Sequence, residues 1–442
     1  MTIVIEAVKG REILDSRGRP TIEVDVAISG GFVGTASVPS GASTSRSEAC
    51  ELRDGEPTRF FGRGVAQAAA HVNEIIGPTL YGQPADAQRT IDDRMRELDG
   101  TAHLGRLGAN AILGVSLAAC RAAALARGLP LYRHIGDLAA VSTPLLPVPM
   151  VNILSGGLHA GRGMDVQDFL AVPLSAPDYP TALHDMIRVR AAAEDLARTE
   201  GMPTLLADEG GLSPGYARAE QALDLMVRAI EAAGFEPGSD IAIALDIAAT
   251  SLLGEADSYA LRRSGLALDS ADMIDLIASW VGRYPIVSVE DGLHDEDWQG
   301  WSELTQRLGD IQVIGDDLFA TSPARLARGV GVGAANAVLI KLNQNGTLSG
   351  TLDAVALARQ HGYATVISAR SGETSDSFMS DLAVGTAGGQ IKIGSVRNSE
   401  RLEKYNQLLR IAERETIGYA GSAVLAGAQQ RGRNKDDRRA AS

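Results

Sequence analysis

Cysteine is scarce in this chain: Cys50 and Cys120 are the only two. Two thiols cannot make a disulfide framework and nothing pairs them as metal ligands, so both are expected to be reduced and buried. The opening Met1-Thr-Ile-Val-Ile-Glu6 lacks the basic region and apolar core of a secretory leader, and no uninterrupted apolar run could span a bilayer. A cytoplasmic protein with no membrane partner is expected. Positive charge is also short: a net charge of -14 and a pI near 5.0 argue against nucleic acid or anionic membrane as a main partner. Nucleotide-loop signatures are missing too. There is no Gly-x-x-x-x-Gly-Lys-Ser/Thr run, and Gly329-Val-Gly331-Val-Gly333 precedes a strand where a dinucleotide loop would follow one, so it reads as a helix-ending turn.

What the chain does have is 442 residues, 45% of them hydrophobic, enough for a large buried core. Two domains are expected, because an α/β barrel absorbs 250 residues or so in one. The apolar run Ala337-Val-Leu-Ile-Lys341 reads as a buried strand that closes on a lysine, which must be either paired with a carboxylate or desolvated. The same grammar repeats in Ile241–Asp246, Pro285–Glu290, Ile311–Asp316, Ala364–Arg370 and Gly389–Lys392, each an apolar run ending in a charge. From Glu290 onward the charges fall at 316, 341, 370 and 392, the spacing of strand-loop-helix-loop units. Parallel strands closing into an α/β barrel would gather them at the C-terminal mouth.

The N-terminal segment differs. Thr21–Ile28 alternates at period two, Ser29-Gly-Gly31 turns, and Phe32–Val38 returns, an antiparallel pattern. Helical patterns follow over 64–76, 87–98 and 108–127, making residues 1–140 an α+β cap. The proline-rich Thr143–Pro149 reads as a boundary, since proline neither continues a helix nor donates to a central strand. Residues 143–428 then carry barrel rhythm, with helices near 180–200, 216–233, 270–282, 299–308, 322–328 and 348–361, and the polar 429–442 tail reads as disordered.

Asp246, Glu290 and Asp316 are hard oxygen donors on successive strand ends, a set that suits Mg2+. Each alone reads equally as a helix cap or a lysine partner. Ser368-Ala-Arg370-Ser371-Gly372 offers a guanidinium, a hydroxyl and backbone N–H groups to a phosphoryl group, and Ser40–Ser45 has the small residues of a closing loop. Asp208-Glu209-Gly210-Gly211 sets two acids before a glycine pair, while His159 lies in a glycine loop and Gln167-Asp168 precedes a strand.

As an ordered set, Ser40-Gly-Ala-Ser-Thr44, Leu107–Leu113, Asp208–Gly211, Val289–Gly292, Gly315–Leu318 and Arg370–Thr374 resemble the enolase (phosphopyruvate hydratase) family from Leu14 to Leu409. The resemblance implies a TIM-like (β/α)8 barrel of the enolase type behind an α+β cap, and a lysine base working with one or two Mg2+ ions. Carried onto this sequence, it implies that Lys341 removes the C2 proton of 2-phosphoglycerate, and that two Mg2+ per site bind through Asp246, Glu290, Asp316 and Ser43, with Lys392 nearby. Glu209 would protonate the departing C3 hydroxyl, supported by Asp168 and His159. Gln167, Arg370 and Ser371 would hold the phosphate. A homodimer or higher homo-oligomer is also implied.

The departures from the family pattern cluster. Ala369 stands where enolases usually carry histidine before the arginine, Asp168 where they carry glutamate, Ser45 where they carry glycine, and Ala249-Thr250-Ser251-Leu where they read Ala-Ser-Glu-Phe. The enolate-forming half is intact and the phosphate and leaving-group half is altered. That pattern points to 2-phosphoglycerate or a close phosphorylated or phosphonylated analogue, with a carboxyphosphonoenolpyruvate synthase-like paralogue as the alternative. A scaffold role would leave the costly cluster of like charges without purpose.

Overall fold

The period-two stretch folds as the centre of a three-stranded antiparallel sheet, with Pro20–Ile28 flanked by Ile5–Leu14 and Phe32–Ser37. Ile22, Val24, Val26 and Ile28 point into the core, while Glu23 and Asp25 on the other face pair with Arg11. The strand Ile5–Leu14 is not among the expected ones, because its charged residues mask the alternation. This computed structural model describes residues 3–41, 46–254 and 258–425; Ser43, most of the 40–45 loop and the 429–442 tail lie outside the described residues.

Three helical patterns of the cap appear as Ala66–His71 running on through Val72–Ile76 with a wider π turn, Gln88–Asp99, and Ala109–Ala126. The last is the one helix among the described residues long and apolar enough to cross a membrane, but 83% of it is buried within the fold. It lies against the cap sheet at close range: a Cβ on Gly34 would come within 2.1 Å of the Ala118 carbonyl oxygen. Cys120 on this helix is buried as expected and its thiol is pushed up by burial; Cys50 is exposed, contrary to expectation, in the irregular 49–56 stretch, where its backbone bonds to His103 and Ala109.

Eight strands close into a barrel: Val148–Ser155, Asp168–Pro173, Ile241–Asp246, Ile286–Glu290, Gln312–Gly315, Ala337–Ile340, Ala364–Ser368 and Gln390–Gly394, the last pairing with the first. The expected all-parallel arrangement needs one correction. Asp168–Pro173 runs antiparallel to both neighbours, joined to the strand before by the 156–167 loop, in which Gly157–Ala160 makes a single 3-10 turn and no crossover helix forms. Its start therefore lies where its neighbours end, in register Asp168 opposite Asp246 and Ser155 opposite Asp168.

Proline is also tolerated where it was expected to stop a strand. Pro149 sits at the start of Val148–Ser155, and pairing with the antiparallel neighbour begins only at Val151. Around the barrel, helices Tyr179–Thr199, Ala219–Ala232, Ser270–Arg283, Trp298–Arg307, Pro323–Val332 and Leu348–Gln360 match the expected patterns closely. The 329–333 glycines are not all a turn: the helix runs through Gly329 to Val332, and only Gly333, at φ 70°, ends it. Gly329 lacks a side chain because the Phe319 ring packs there, 2.4 Å from where a Cβ would sit.

Candidate active site

Each strand end delivers its charge as the apolar runs predict. Lys341 follows Ala337–Ile340 and its Nζ donates to Asp316 Oδ2 at 2.5 Å. Lys392, inside Gln390–Gly394, donates to Asp246 Oδ2 at 2.7 Å and to both Glu290 oxygens at 2.9 and 2.8 Å. The three acids sit on neighbouring strands, with Glu290 in register with Asp246. Burial works against the Lys341 ammonium, but Asp316 outweighs it and holds the group above its usual range. Burial likewise opposes Lys392, which Asp246 and Glu290 hold well up. One ammonium cannot neutralise two buried carboxylates. Burial, and then Asp246, accordingly push Glu290 well above the carboxylate range.

The other side of the mouth is assembled from loops. Gly210, at φ 85°, turns the chain beside Glu209, and Gly211 passes so close to the first strand that a Cβ would meet Ser155 Oγ at 2.4 Å. Glu209 is pinned by its own carbonyl, which accepts from the Ser395 backbone N–H at 2.9 Å. His159 Nδ1 lies 3.3 Å from Asp168 Oδ2 and 3.9 Å from Glu209 Oε1, neither aligned as a hydrogen bond, and Asp168 Oδ2 has no donor. Asp168 Oδ1 is satisfied by Asn152 Nδ2 at 2.6 Å and Ser155 Oγ at 2.9 Å. Burial disfavours an imidazolium here, yet Glu209 and Asp168 override it and hold His159 up at about 9. Burial raises Glu209, but His159, Arg401 and the two lysines bring it below its ordinary value.

Arg370 is buried with Glu48 of the cap, NH1 to Oε2 at 3.0 Å, and also donates to Asn343 Oδ1 at 2.8 Å. Ser371 Oγ accepts from Arg17 of the cap at 3.1 Å, and Ser40 and Gly372 exchange backbone hydrogen bonds across the same seam. Gln167 Nε2 reaches Asp246 Oδ2 at 3.2 Å. Thus Lys341, Lys392, Asp246, Asp316, Glu209, His159, Gln167, Arg370 and Ser371 all line one cavity of about 30 Å³. Glu290 and Asp168 lie just behind it, on Lys392 and His159.

With that geometry in view, two family models match: the C-terminal TIM barrel domain of enolase over residues 143–432 and the N-terminal domain of enolase over residues 5–135. The chain belongs to the enolase family. Its enolase barrel carries acidic groups compatible with Mg2+, and the family identifies it as a lyase fold.

The donor set of this enolase-family barrel suits the ion on its own chemistry. Buried carboxylates outnumber the cations facing them, and Asp317, beside Asp316, is pushed up to about 7 by burial and then by Asp316. A hard dication bound by few carboxylates relieves that excess. Among the described residues, two groups have donor atoms close enough to share an ion, His159 with Asp168 and Glu209, and Asp291 with Asp316 and Asp317. Neither is the expected Asp246, Glu290 and Asp316 set, because Lys392 and Lys341 draw those carboxylates to themselves. Asp291 instead braces the turn, accepting the backbone N–H groups of Asp316 at 2.9 Å and Asp317 at 2.8 Å.

Sequence reasoning missed Glu48, Gln344 and Arg17 as parts of the site. Arg17 and Gln344 adjoin motifs that were read, but nothing local marks them; Glu48 follows the 40–45 loop with no pattern around it.

Proposed function

We propose that this enolase-family protein eliminates water from 2-phosphoglycerate or a close phosphorus-bearing carboxylate, giving a phosphoenolpyruvate-type product. The observation that supports this reading most is that Lys341 and Glu209, a candidate base and a candidate acid held on different elements, line one small cavity. Lys341 Nζ removes the proton at C2. Glu209 delivers a proton to the C3 hydroxyl as it leaves, and the His159 imidazolium beside it is the nearest proton source to keep that carboxyl supplied. Arg370, with Ser371 and Gln167, binds and orients the phosphoryl group, and Lys392 faces the reacting carboxylate. Asp246, Glu290 and Asp316 would hold Mg2+, which would supply charge neutralisation at the substrate carboxylate.

A second reading rests on Ala369. This small buried residue sits in the cavity wall between Ser368 and Arg370, where a histidine side chain would take space and add a donor. A bulkier phosphorus substituent, as in a carboxyphosphonoenolpyruvate-type reaction, fits a wall so trimmed.

The test is ultraviolet absorbance of enol product from 2-phosphoglycerate, with Mg2+ and then with chelator, beside Lys341→Ala. Metal-dependent turnover that Lys341→Ala abolishes supports the first reading. A folded protein without turnover on 2-phosphoglycerate but active on a carboxylated phosphonate supports the second, and turnover unaffected by Lys341→Ala overturns both.

A further inference from the structure

Gln344, three residues beyond the base, is buried at 2% exposure and makes contacts on three sides. Its Nε2 donates to Asp316 Oδ1 at 2.9 Å and, at 3.4 Å, to Glu48 Oε1 of the cap. Its Oε1 accepts from Thr321 Oγ1 at 2.7 Å, and the same Thr321 oxygen accepts the Lys341 backbone N–H at 2.9 Å. The Gln344 carbonyl accepts from the Ala49 backbone N–H at 2.8 Å. One amide is therefore bonded to the acid that holds Lys341, to the hydroxyl that holds the Lys341 backbone, and to the cap acid that holds Arg370.

We propose that Gln344 is a positioning residue for the reaction, fixing the rotation of the Asp316 carboxylate against Lys341 and tying both to the cap through Glu48. A carboxylate on a strand end rotates freely about its last bond unless both oxygens are engaged. Asp316 Oδ2 meets Lys341 and Oδ1 meets Gln344, so the rotation is set by the amide. The Thr321 hydroxyl in turn sets which way the amide faces: it donates to Oε1, leaving Nε2 toward the two acids. Groups that orient a metal-binding carboxylate in this way are commonly worth about 10- to 100-fold in metal affinity or activity.

This inference rests on the proposed elimination for its kinetic arm only. Gln344→Met keeps the size and removes both donor and acceptor without adding charge; Gln344→Glu keeps the size and the acceptor for Thr321 but turns the donor toward Asp316 and Glu48 into a third carboxylate. With the substrate the protein accepts, both variants should lower kcat by about 10-fold or more while KM stays within about threefold, because the chemical step and not binding is misaligned. Packing alone would leave Gln344→Met near the parent. The second arm needs no turnover: Mn2+ binding to the substrate-free protein, read by electron paramagnetic resonance of the free ion. Gln344→Met should weaken it by about 10-fold. Unchanged kcat and unchanged Mn2+ affinity in Gln344→Met overturn the proposal. If Gln344→Met does not fold, Gln344→Glu decides: kcat unchanged beside the added carboxylate overturns it. A parent protein that turns over neither substrate sinks the elimination reading and leaves the Mn2+ result to decide this one.

Discussion

Around Lys392, the carboxylates of Asp246 and Glu290 sit on adjacent strand ends and share one ammonium at 2.7 to 2.9 Å. Around His159, the carboxylates of Asp168 and Glu209 sit on a strand start and a glycine loop and share one imidazole at 3.3 and 3.9 Å, unaligned. Both halves face the same problem, two buried acids and one cation. The strand-borne half meets it with a permanent charge in tight geometry, the loop-borne half with a titratable charge in loose geometry. A half that must bind metal and steady negative charge gains from the first arrangement, and a half that must pass a proton gains from the second.

The comparison breaks most sharply at Lys341. Lys341→Ala removes the proposed base from the strand-borne half and should lower kcat by about 10³-fold while the fold persists, checked by steady-state kinetics beside circular dichroism. A loss under tenfold would move the base to the loop-borne half. Next in size, Lys392→Met leaves Asp246 and Glu290 buried without their ammonium and should cost about 3–5 kcal/mol in urea unfolding under chelator. Saturating Mg2+ should return part of that, about 2.7 kcal/mol at a hundredfold excess over Kd. An unchanged midpoint would mean that the pair is not a compensated one.

His159 gives the two halves different pH behaviour. Its folded value near 9 lies above the unfolded value near 6.5. The folded state therefore binds the proton more tightly, so the stabilisation is complete below pH 6.5 and is lost as pH rises through 9, by roughly 3 kcal/mol. Unfolding measured at pH 6 and at pH 9.5 should show this decline in the parent and a smaller one in His159→Gln; equal slopes would detach His159 from the acid pair. The smallest effect concerns the cavity wall. Ala369→His should shift kcat/KM by about 10-fold toward 2-phosphoglycerate over a bulkier phosphonate, and an unchanged ratio would leave Ala369 without a part in specificity.

Much of this was legible in the chain. The apolar runs ending at Asp246, Glu290, Asp316 and Lys341 announced both barrel and mouth, because a side chain at a strand end has its direction set by the few residues before it. Asp168 was read as lying ahead of a strand, but its arrival opposite Asp246 depends on that strand running backwards in the barrel, which no local pattern encodes. His159 and Glu209 stand in separate glycine loops, and only the family resemblance, not any local pattern, groups them in one site.

The sequence alone, then, determined which strands carry charge and at what spacing, since alternation and burial are local properties of ten residues or fewer. Only the tertiary structure decided how those charges are shared. Glu48 and Arg370 lie 322 positions apart and Gln344 is 296 from Glu48. Such pairs exist because the N-terminal segment packs on the barrel mouth through one continuous core, and the free energy that brings them together comes from the packing of whole elements, not from anything written beside either residue.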